Sequence, residues 1–278
     1  MTQTAEAQFV LIRGLAREAR HWGNFPEVLE KTFAQAGHKI RVDAIDQPGC
    51  GRYSEMRSPI SIHGITKFMR QKHAELRARI REQGEQPPAK TFVLAVSLGG
   101  MVTSDWIHHW PNDLTGAVFV NTSFRGFSPI HHRLTPRGVE HLVRIIAARN
   151  PESREREILK MVSNRPDLHD AIAETWTNVG LSRPVSLENF ARQLFAAATY
   201  RAADEAPKVP VLLLNSEKDR MVSPGCSDAI ASKWAVPLEK HVSGGHDLPL
   251  DDPEWTAEKT LSWFQSLSAA REKKSLGL

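Results

Sequence analysis

Three residues of complementary chemistry stand in a fixed order along this chain: Ser97, Asp219 and His246. A serine hydroxyl is a poor nucleophile until a neighbouring imidazole accepts its proton. The imidazole in turn needs a carboxylate to fix its tautomer and to stabilise the imidazolium that forms. Each of the three follows an apolar run of strand length. Ser97 closes Phe92-Val-Leu-Ala-Val96, Asp219 lies in the loop after Val211-Leu-Leu-Leu214, and His246 follows Leu238–Val242 through Ser243-Gly-Gly. Singly, each has a plainer reading, as a tight β-to-α turn, a turn aspartate and a loop histidine. Type, order and strand-end placement together point to acyl transfer. Ser97 is then the nucleophile, His246 the base and later the acid, and Asp219 the group that orients His246.

The stretch around Ser97 says how a serine would be presented. Phe92–Val96 is unbroken and apolar, as in a strand buried on both faces. Beyond the serine the apolar period changes to that of a helix. Leu98, Met101, Val102, Trp106 and Trp110 fall on one stripe, which Pro111 ends. A strand–turn–helix with a serine at the turn is the context of a G-x-S-x-G-type nucleophile elbow. Strand and helix pass close there, so small residues are needed two positions to each side; here they are Ala95 and Gly99. The start of the helix offers unpaired N–H groups and the positive end of its dipole to a developing oxyanion.

The elements that must position these groups alternate. Strands are expected at Phe9–Ile12, 40–44, 92–96, 117–120, 211–214 and 238–242, with amphipathic helices between them. Asn24, Pro26 and Glu27 suggest a capping-box helix start. Ile62, Ile65, Met69, Leu76 and Ile80 mark a long helix broken near Pro87-Pro88. Such alternation implies a doubly wound, mostly parallel sheet of about six strands, with functional groups at the strands' carboxyl ends. The 238–242 run alternates in polarity and reads as an edge strand. From 123 to 205 the pattern becomes helical, about four helices, with starts at Thr135-Pro136, Asn150-Pro151 and Ser186. The expected organisation is therefore a core of 1–122 and 206–278 with a helical cap of 123–205 over Ser97.

Composition narrows the function. The chain has 278 residues, 41% hydrophobic and 24% charged, enough for a large core. A net charge of +4 is too small for electrostatic nucleic-acid binding. Its two cysteines, Cys50 and Cys226, form no paired motif. No stretch reads as a membrane span, and Met1–Gln8 lacks the basic head and apolar core of a leader, so the expected location is cytoplasmic. The Arg271-Glu-Lys-Lys274 tail reads as a frayed helix end.

On these islands the chain resembles α/β-hydrolase-fold enzymes, specifically the capped bacterial carboxylesterases: Leu11-Ile-Arg-Gly-Leu15, Asp46-Gln-Pro-Gly-Cys-Gly51, Ala95-Val-Ser-Leu-Gly-Gly100, Lys218-Asp-Arg-Met-Val222 and Gly245-His246. The resemblance implies a Ser97–Asp219–His246 triad and no cofactor. It also implies an oxyanion hole from two backbone N–H groups. One is that of Leu98; the other is that of Leu15 or Ala16. Two departures stand out. Arg13-Gly14 replaces the His-Gly usual before that loop, and the chain begins at the family's third strand.

Other features have competing readings. Phe190, Leu194 and Ala198 share a helical stripe that either packs a lid or lines an acyl pocket. Asp247 adjoins the histidine too closely to reach the correct ring nitrogen, and Asp251 and Asp252 read as helix caps. Adjacent histidines, His108-His109 and His131-His132, point about 100° apart on a helix and make poor chelates, so no metal is expected. Cys50 reads as a turn or packing residue. Over 123–149, Arg125, Arg133, Arg137, Arg144 and Arg149 face one acid, Glu140, while Arg13, Arg17 and Arg20 surround Glu18. These make either a solvated face or a basic mouth in which Arg17, Arg20 or Arg125 would bind a substrate anion or an acidic acyl carrier. The function expected is hydrolysis of a small-molecule carboxylic ester through an acyl-enzyme. The alternatives are the same triad used for C–C cleavage, lyase or perhydrolase chemistry, and a binding protein that keeps the fold.

Overall fold

The computed structural model describes residues 5–275. Of the Met1–Gln8 stretch read as no leader, residues 1–4 lie outside the described residues, while Ala7 and Gln8 already belong to the first strand. The strands are β1 (Ala7–Ile12), β2 (Ile40–Ala44), β3 (Lys90–Val96), β4 (Gly116–Val120), β5 (Val211–Ser216) and β6 (Leu238–His241). They form one six-stranded sheet in the order β2-β1-β3-β4-β5-β6, and every pairing is parallel. The β6 edge is where its alternating polarity places it, since it pairs only with β5.

Helices cover both faces of the sheet. They are α1 (Phe25–Gln35), α2 (Ile62–Glu82), α3 (Leu98–His109), α4 (Ile130–Arg133), α5 (Pro136–Ala147), α6 (Pro151–Val162), α7 (His169–Ser182), α8 (Leu187–Thr199), α9 (Gly225–Trp234), α10 (Leu248–Asp251) and α11 (Pro253–Ser275). Successive strand residues point to opposite faces, so each strand feeds two cores. Val10, Ile12, Val93, Ala95, Phe119 and Leu213 pack with Ile65 and Met69 of α2, Trp106 of α3 and Trp234 of α9. Phe9, Leu11, Phe92, Leu94 and Val118 pack with Phe25 and Phe33 of α1 and Phe264 of α11. Because both faces are buried, the central strands are apolar through their middles, with polar residues confined near their ends, as at Gln8, Thr91 and Asn215.

The first helix departs from expectation. Asn24 makes no side-chain cap; Pro26 in the first turn and the Asn24 carbonyl, which accepts from Val28 N at 3.0 Å, start α1 instead. The tail helix is longer than expected, since α11 runs through Arg271–Lys274 to Ser275.

The chain between β4 and β5 is helical, with α5 to α8 and the short α4. The three expected starts carry true N-caps. Thr135 Oγ1 accepts from Gly138 N, Asn150 Oδ1 from Ser153 N, and Ser186 Oγ from Asn189 N, at 3.0, 2.8 and 3.1 Å. This insertion is bipartite. Helices α5–α7 share a small core of Ile145, Leu159, Met161, Ala173 and Trp176. Helix α8 instead sends Ala196 into the main core. The inserted helices touch four loops that leave the strands' carboxyl ends. Arg20 Nη2 donates to Val179 O, Asn189 Nδ2 to Met56 O, Thr135 N to Met221 O, and Asp247 N to Val162 O.

Candidate active site

Ser97 sits between β3 and α3 with φ 56° and ψ −118°, a left-handed turn that a side chain adopts only under constraint. Its neighbours supply that constraint. Ser97 N donates to Val120 O at 2.9 Å, and the Thr122 hydroxyl donates to Ser97 O at 2.8 Å. The glycines exist for clearance. A Cβ on Gly99 would lie 2.5 Å from the Ile12 carbonyl oxygen, and one on Gly100 would lie 2.7 Å from the Thr122 side chain. A Cβ on Gly14 would come within 3.2 Å of Ser97 Cβ. The β1 loop thus passes directly beside the serine.

His246 Nδ1 and Asp219 Oδ2 are 2.7 Å apart, with side chains 5% and 1% exposed. The other carboxylate oxygen, Oδ1, accepts from Met221 N and Val222 N at 2.8 and 3.0 Å, which locks the Asp219 rotamer. Burial opposes a charged His246, but the Asp219 carboxylate and its hydrogen bond outweigh it, so the His246 pKa is raised above the ordinary histidine value. His246 Nε2 is buried and bonded to no group among the described residues, Ser97 Oγ included. The topology brings the three residues to one end of the sheet, Ser97 after β3, Asp219 after β5 and His246 after β6.

Several residues that organise this end carried no clear sequence signal. Asn121, with φ 49°, accepts from Ser216 N at 2.8 Å through Oδ1. Its Nδ2 donates to the carbonyls of Gly245 and His246 at 3.2 and 2.9 Å, tying the end of β4 to β5 and to the histidine loop. Arg13 makes a buried two-pronged ion pair with Asp247 and lies over the Trp22 ring, 4.8 Å from its centroid. The departure from His-Gly at this position is thereby explained: the arginine clamps the β1 loop to the residue after His246. Asp247 is committed to that pair. Asp251 is a correction to the cap reading. Its Oδ2 accepts from Gly245 N at 2.6 Å and from Asn164 N at 2.8 Å, so it holds the histidine loop against the insertion. Asp252 does cap, accepting from Trp255 N at 2.9 Å.

The oxyanion question left open between Leu15 and Ala16 narrows here. Ala16 N is occupied, donating to Gln193 Oε1 at 2.9 Å. Gln193 is fully buried on α8 and also donates through Nε2 to Pro48 O at 3.1 Å. Among the described residues, no such bond engages the N–H of Leu15 or of Leu98 at the start of α3. The buried face of α8 is Asn189, Gln193 and Ala196; of the expected stripe, Phe190 and Leu194 lie beside it, half-buried, and Ala198 is exposed.

Of the two basic segments, the oxyanion-loop arginines are ion-paired, while Arg125, Arg137 and Arg149 are exposed at the surface. Arg17 Nη1 pairs with Glu155 Oε2 at 2.8 Å, and its guanidinium lies over Trp176, 4.4 Å from the centroid. Arg20 pairs with Glu18 and Arg144 with Glu140. Arg133 donates to the carbonyls of Ala197 and Ala198. Arg125 is exposed, and its backbone pairs with Tyr200 and Arg201 at the foot of the insertion. The segment's charge was correctly counted, but sequence could not show which arginines already have partners. His21, beside Arg17, is held neutral because burial and the nearby Arg17 and Arg13 push its pKa well down. Burial raises the Cys50 thiol to about 12, which leaves it a packing residue. A cavity of about 780 Å³ beside the Asp219 loop is lined by Thr135, Arg137, Lys218 and Arg220 but reaches neither Ser97 nor His246.

Comparison with known proteins agrees with this architecture. A family model described as "Alpha/beta hydrolase family" matches residues 9–259. No curated protein sequence matches the chain. Among solved structures, a 2-hydroxy-6-oxo-6-phenylhexa-2,4-dienoate hydrolase from Rhodococcus sp. strain RHA1 superposes with a TM-score of 0.73 at 16% identity, over 94% of this chain and 91% of that one. An esterase from Rhodococcus sp. ECU1013 gives 0.66 at 19% identity, over 95% and 93%. A candidate non-heme bromoperoxidase from Mycobacterium tuberculosis gives 0.68 at 19% identity, over 95% and 94%. At such identities the likeness speaks for the fold.

Proposed function

The chain belongs to the α/β hydrolase family, and on that premise we propose that it is a serine hydrolase that cleaves carboxylic esters through an acyl-enzyme. The observation that carries the reading is the buried Asp219–His246 pair whose outer nitrogen has no partner. A buried polar atom left unsatisfied costs free energy, and a proton carried by an incoming nucleophile would satisfy this one. Ser97 Oγ, on its constrained turn at the same sheet end, is the nucleophile. It attacks the ester carbonyl as its proton passes to His246 Nε2. The oxyanion that forms is received by the N–H groups of Leu98 and Leu15, a choice over Ala16 supported by the Ala16 N–H bond to Gln193. His246 returns the proton to the leaving alcohol, then activates water to release the acid.

The 123–205 insertion serves as a lid in this reading, because its helices contact the loops after β1, β2, β5 and β6. The Arg17–Glu155 pair joins the oxyanion loop to α6. Phe190 and Leu194, half-buried on α8, are the apolar side chains proposed to meet the acyl group. The test is covalent labelling of Ser97 by a fluorophosphonate together with turnover of a chain-length series of p-nitrophenyl esters. A labelled enzyme that hydrolyses none of the esters would keep the nucleophile and remove the ester assignment. Failure of both would remove the triad.

A further inference from the structure

We propose that His63, Asp105 and His109 form a binding site for a divalent transition-metal ion of the zinc, nickel or copper class, bridging α2 and α3. It is independent of the Ser97 chemistry. Asp105 lies seven residues into α3, about 10 Å along the helix from its start at about 1.5 Å per residue. The adjacent histidines of the sequence cannot chelate as pairs, and in the structure they do not. Instead α3 supplies Asp105 and, one turn on, His109, while the first turn of α2 supplies His63.

The geometry suits a metal. His63 Nδ1 is 3.0 Å from Asp105 Oδ2, and His109 Nδ1 is 3.3 Å from Asp105 Oδ1. One ligand atom from each residue falls within 4.8 Å of the others. A tetrahedral ion with bonds of about 2.0–2.1 Å holds its ligands about 3.3–3.4 Å apart. The His109 spacing matches that figure and the His63 spacing is a few tenths of an ångström shorter, to the other carboxylate oxygen, so closing the site needs a small adjustment of the rings about the carboxylate. The two rings already lie side by side, 4.6 Å between centroids, with side chains 39% and 44% exposed. His109 Nδ1 also lies 3.0 Å from the Asp105 carbonyl, a bond that ligation would exchange for the metal.

Charge gives the second argument. The Asp105 side chain is only 5% exposed, and among the described residues no lysine or arginine pairs with it. Arg70, over the Trp110 ring, is committed to Asp113. Buried carboxylates are normally paired with a full cation or a metal. Here the partners are two imidazoles, groups that need not be charged and that are the commonest ligands of these metals. Two nitrogens and one oxygen favour zinc, nickel or copper over calcium or magnesium, which prefer all-oxygen sites. Trp110 stacks on His63 at 5.6 Å with an interplanar angle of 8°, which restrains that ring. The remaining coordination positions face solvent and would take water.

The experiment uses untagged full-length protein freed of metal with a chelator and titrated with Co(II) and Zn(II). The expected result is a visible Co(II) d–d band of tetrahedral intensity that Zn(II) displaces, and a higher melting temperature with Zn(II). His63→Ala and His109→Ala should each weaken Zn(II) binding at least about tenfold. His131→Ala, which alters the other adjacent pair, should leave it unchanged. Both cluster histidines are well exposed, so their variants test binding in a folded protein, and near-ultraviolet circular dichroism verifies that. A featureless Co(II) titration with no thermal shift, or binding undiminished in both cluster variants, overturns the proposal and leaves Asp105 held by hydrogen bonds alone.

Discussion

At the residue scale, the proposed mechanism turns on a histidine whose two nitrogens have opposite fates. Nδ1 is bound to Asp219, and Nε2 is buried and unpartnered. Replacing Ser97 or His246 by alanine is expected to lower kcat by several orders of magnitude with little change in melting temperature, as ester turnover and thermal scans of each variant would show. The pH profile has a definite sign. His246 must be neutral to act as base, and its pKa is raised, so kcat/KM should climb with pH through a midpoint above the ordinary value of about 6.5. Asp219→Asn removes what raises it and leaves the burial, so the midpoint should move down while the rate falls about 10⁴-fold. A profile whose midpoint does not move would separate Asp219 from His246. Gln193 gives a subtler test. Gln193→Leu frees the Ala16 N–H from its partner and unsettles the loop that offers Leu15. It should lower kcat more than it raises KM, because the oxyanion is stabilised mainly in the transition state.

At the scale of elements, the β3–α3 junction and the insertion decide different things. The junction is a clearance problem. Gly99→Ala would place a methyl 2.5 Å from the Ile12 carbonyl, and rigid backbone lies on both sides. That substitution should cost both activity and stability, by roughly 1–3 kcal/mol as for an overpacked core, which chemical denaturation would measure. The insertion is joined to the β1 loop by one nearly buried ion pair. Glu155→Gln leaves Arg17 with a neutral partner while preserving shape, and removing one member of such a pair is strongly unfavourable. The expected outcome is a raised KM and easier proteolysis within 123–205, with ester hydrolysis by Ser97 still detectable. Unchanged KM and protease resistance would show that the insertion is held without this pair.

At the scale of the whole molecule, net charge of +4 predicts less than its sign suggests, because the arginines nearest the site are paired. An anionic and a neutral ester of equal size should therefore show similar, shallow salt dependence of kcat/KM, in contrast to the steep fall that an open basic mouth would produce. Acid stability follows from two buried histidines. Burial lowers His73 to about 4 and His21 well below its ordinary value. The unfolded chain then binds more protons than the folded one as pH falls from about 6.5, so stability drops through that window. For His73 alone the loss is on the order of 3 kcal/mol by pH 4. His246 works in the opposite sense. Its raised pKa adds stability that is full below the unfolded value and lost as pH rises through the folded one. Thermal denaturation of wild type and His73→Gln across pH 7 to 4 should give a smaller loss in the variant.

Much of this was legible in the sequence because it depends on near neighbours. The apolar run before Ser97, the change of period after it, and the caps at Thr135, Asn150 and Ser186 are local signals, and local sterics and hydrogen bonding enforce them. The parallel order of strands followed from their alternation with helices, and with it the gathering of Ser97, Asp219 and His246 at one sheet end. The same reading misjudged Asp251, left the arginines between two roles, and had no means of seeing Asn121, Gln193 or the approach of His63 to Asp105. Each of these is fixed by a partner distant in the chain: Arg13 with Asp247, Arg17 with Glu155, Ala16 with Gln193, Asp105 with His63. A polar side chain's role is set by whichever partner satisfies it, and pairings between distant segments leave no period or spacing in the sequence. Only tertiary packing chose which polar and charged groups found partners and which, like His246 Nε2, were left without one among the described residues.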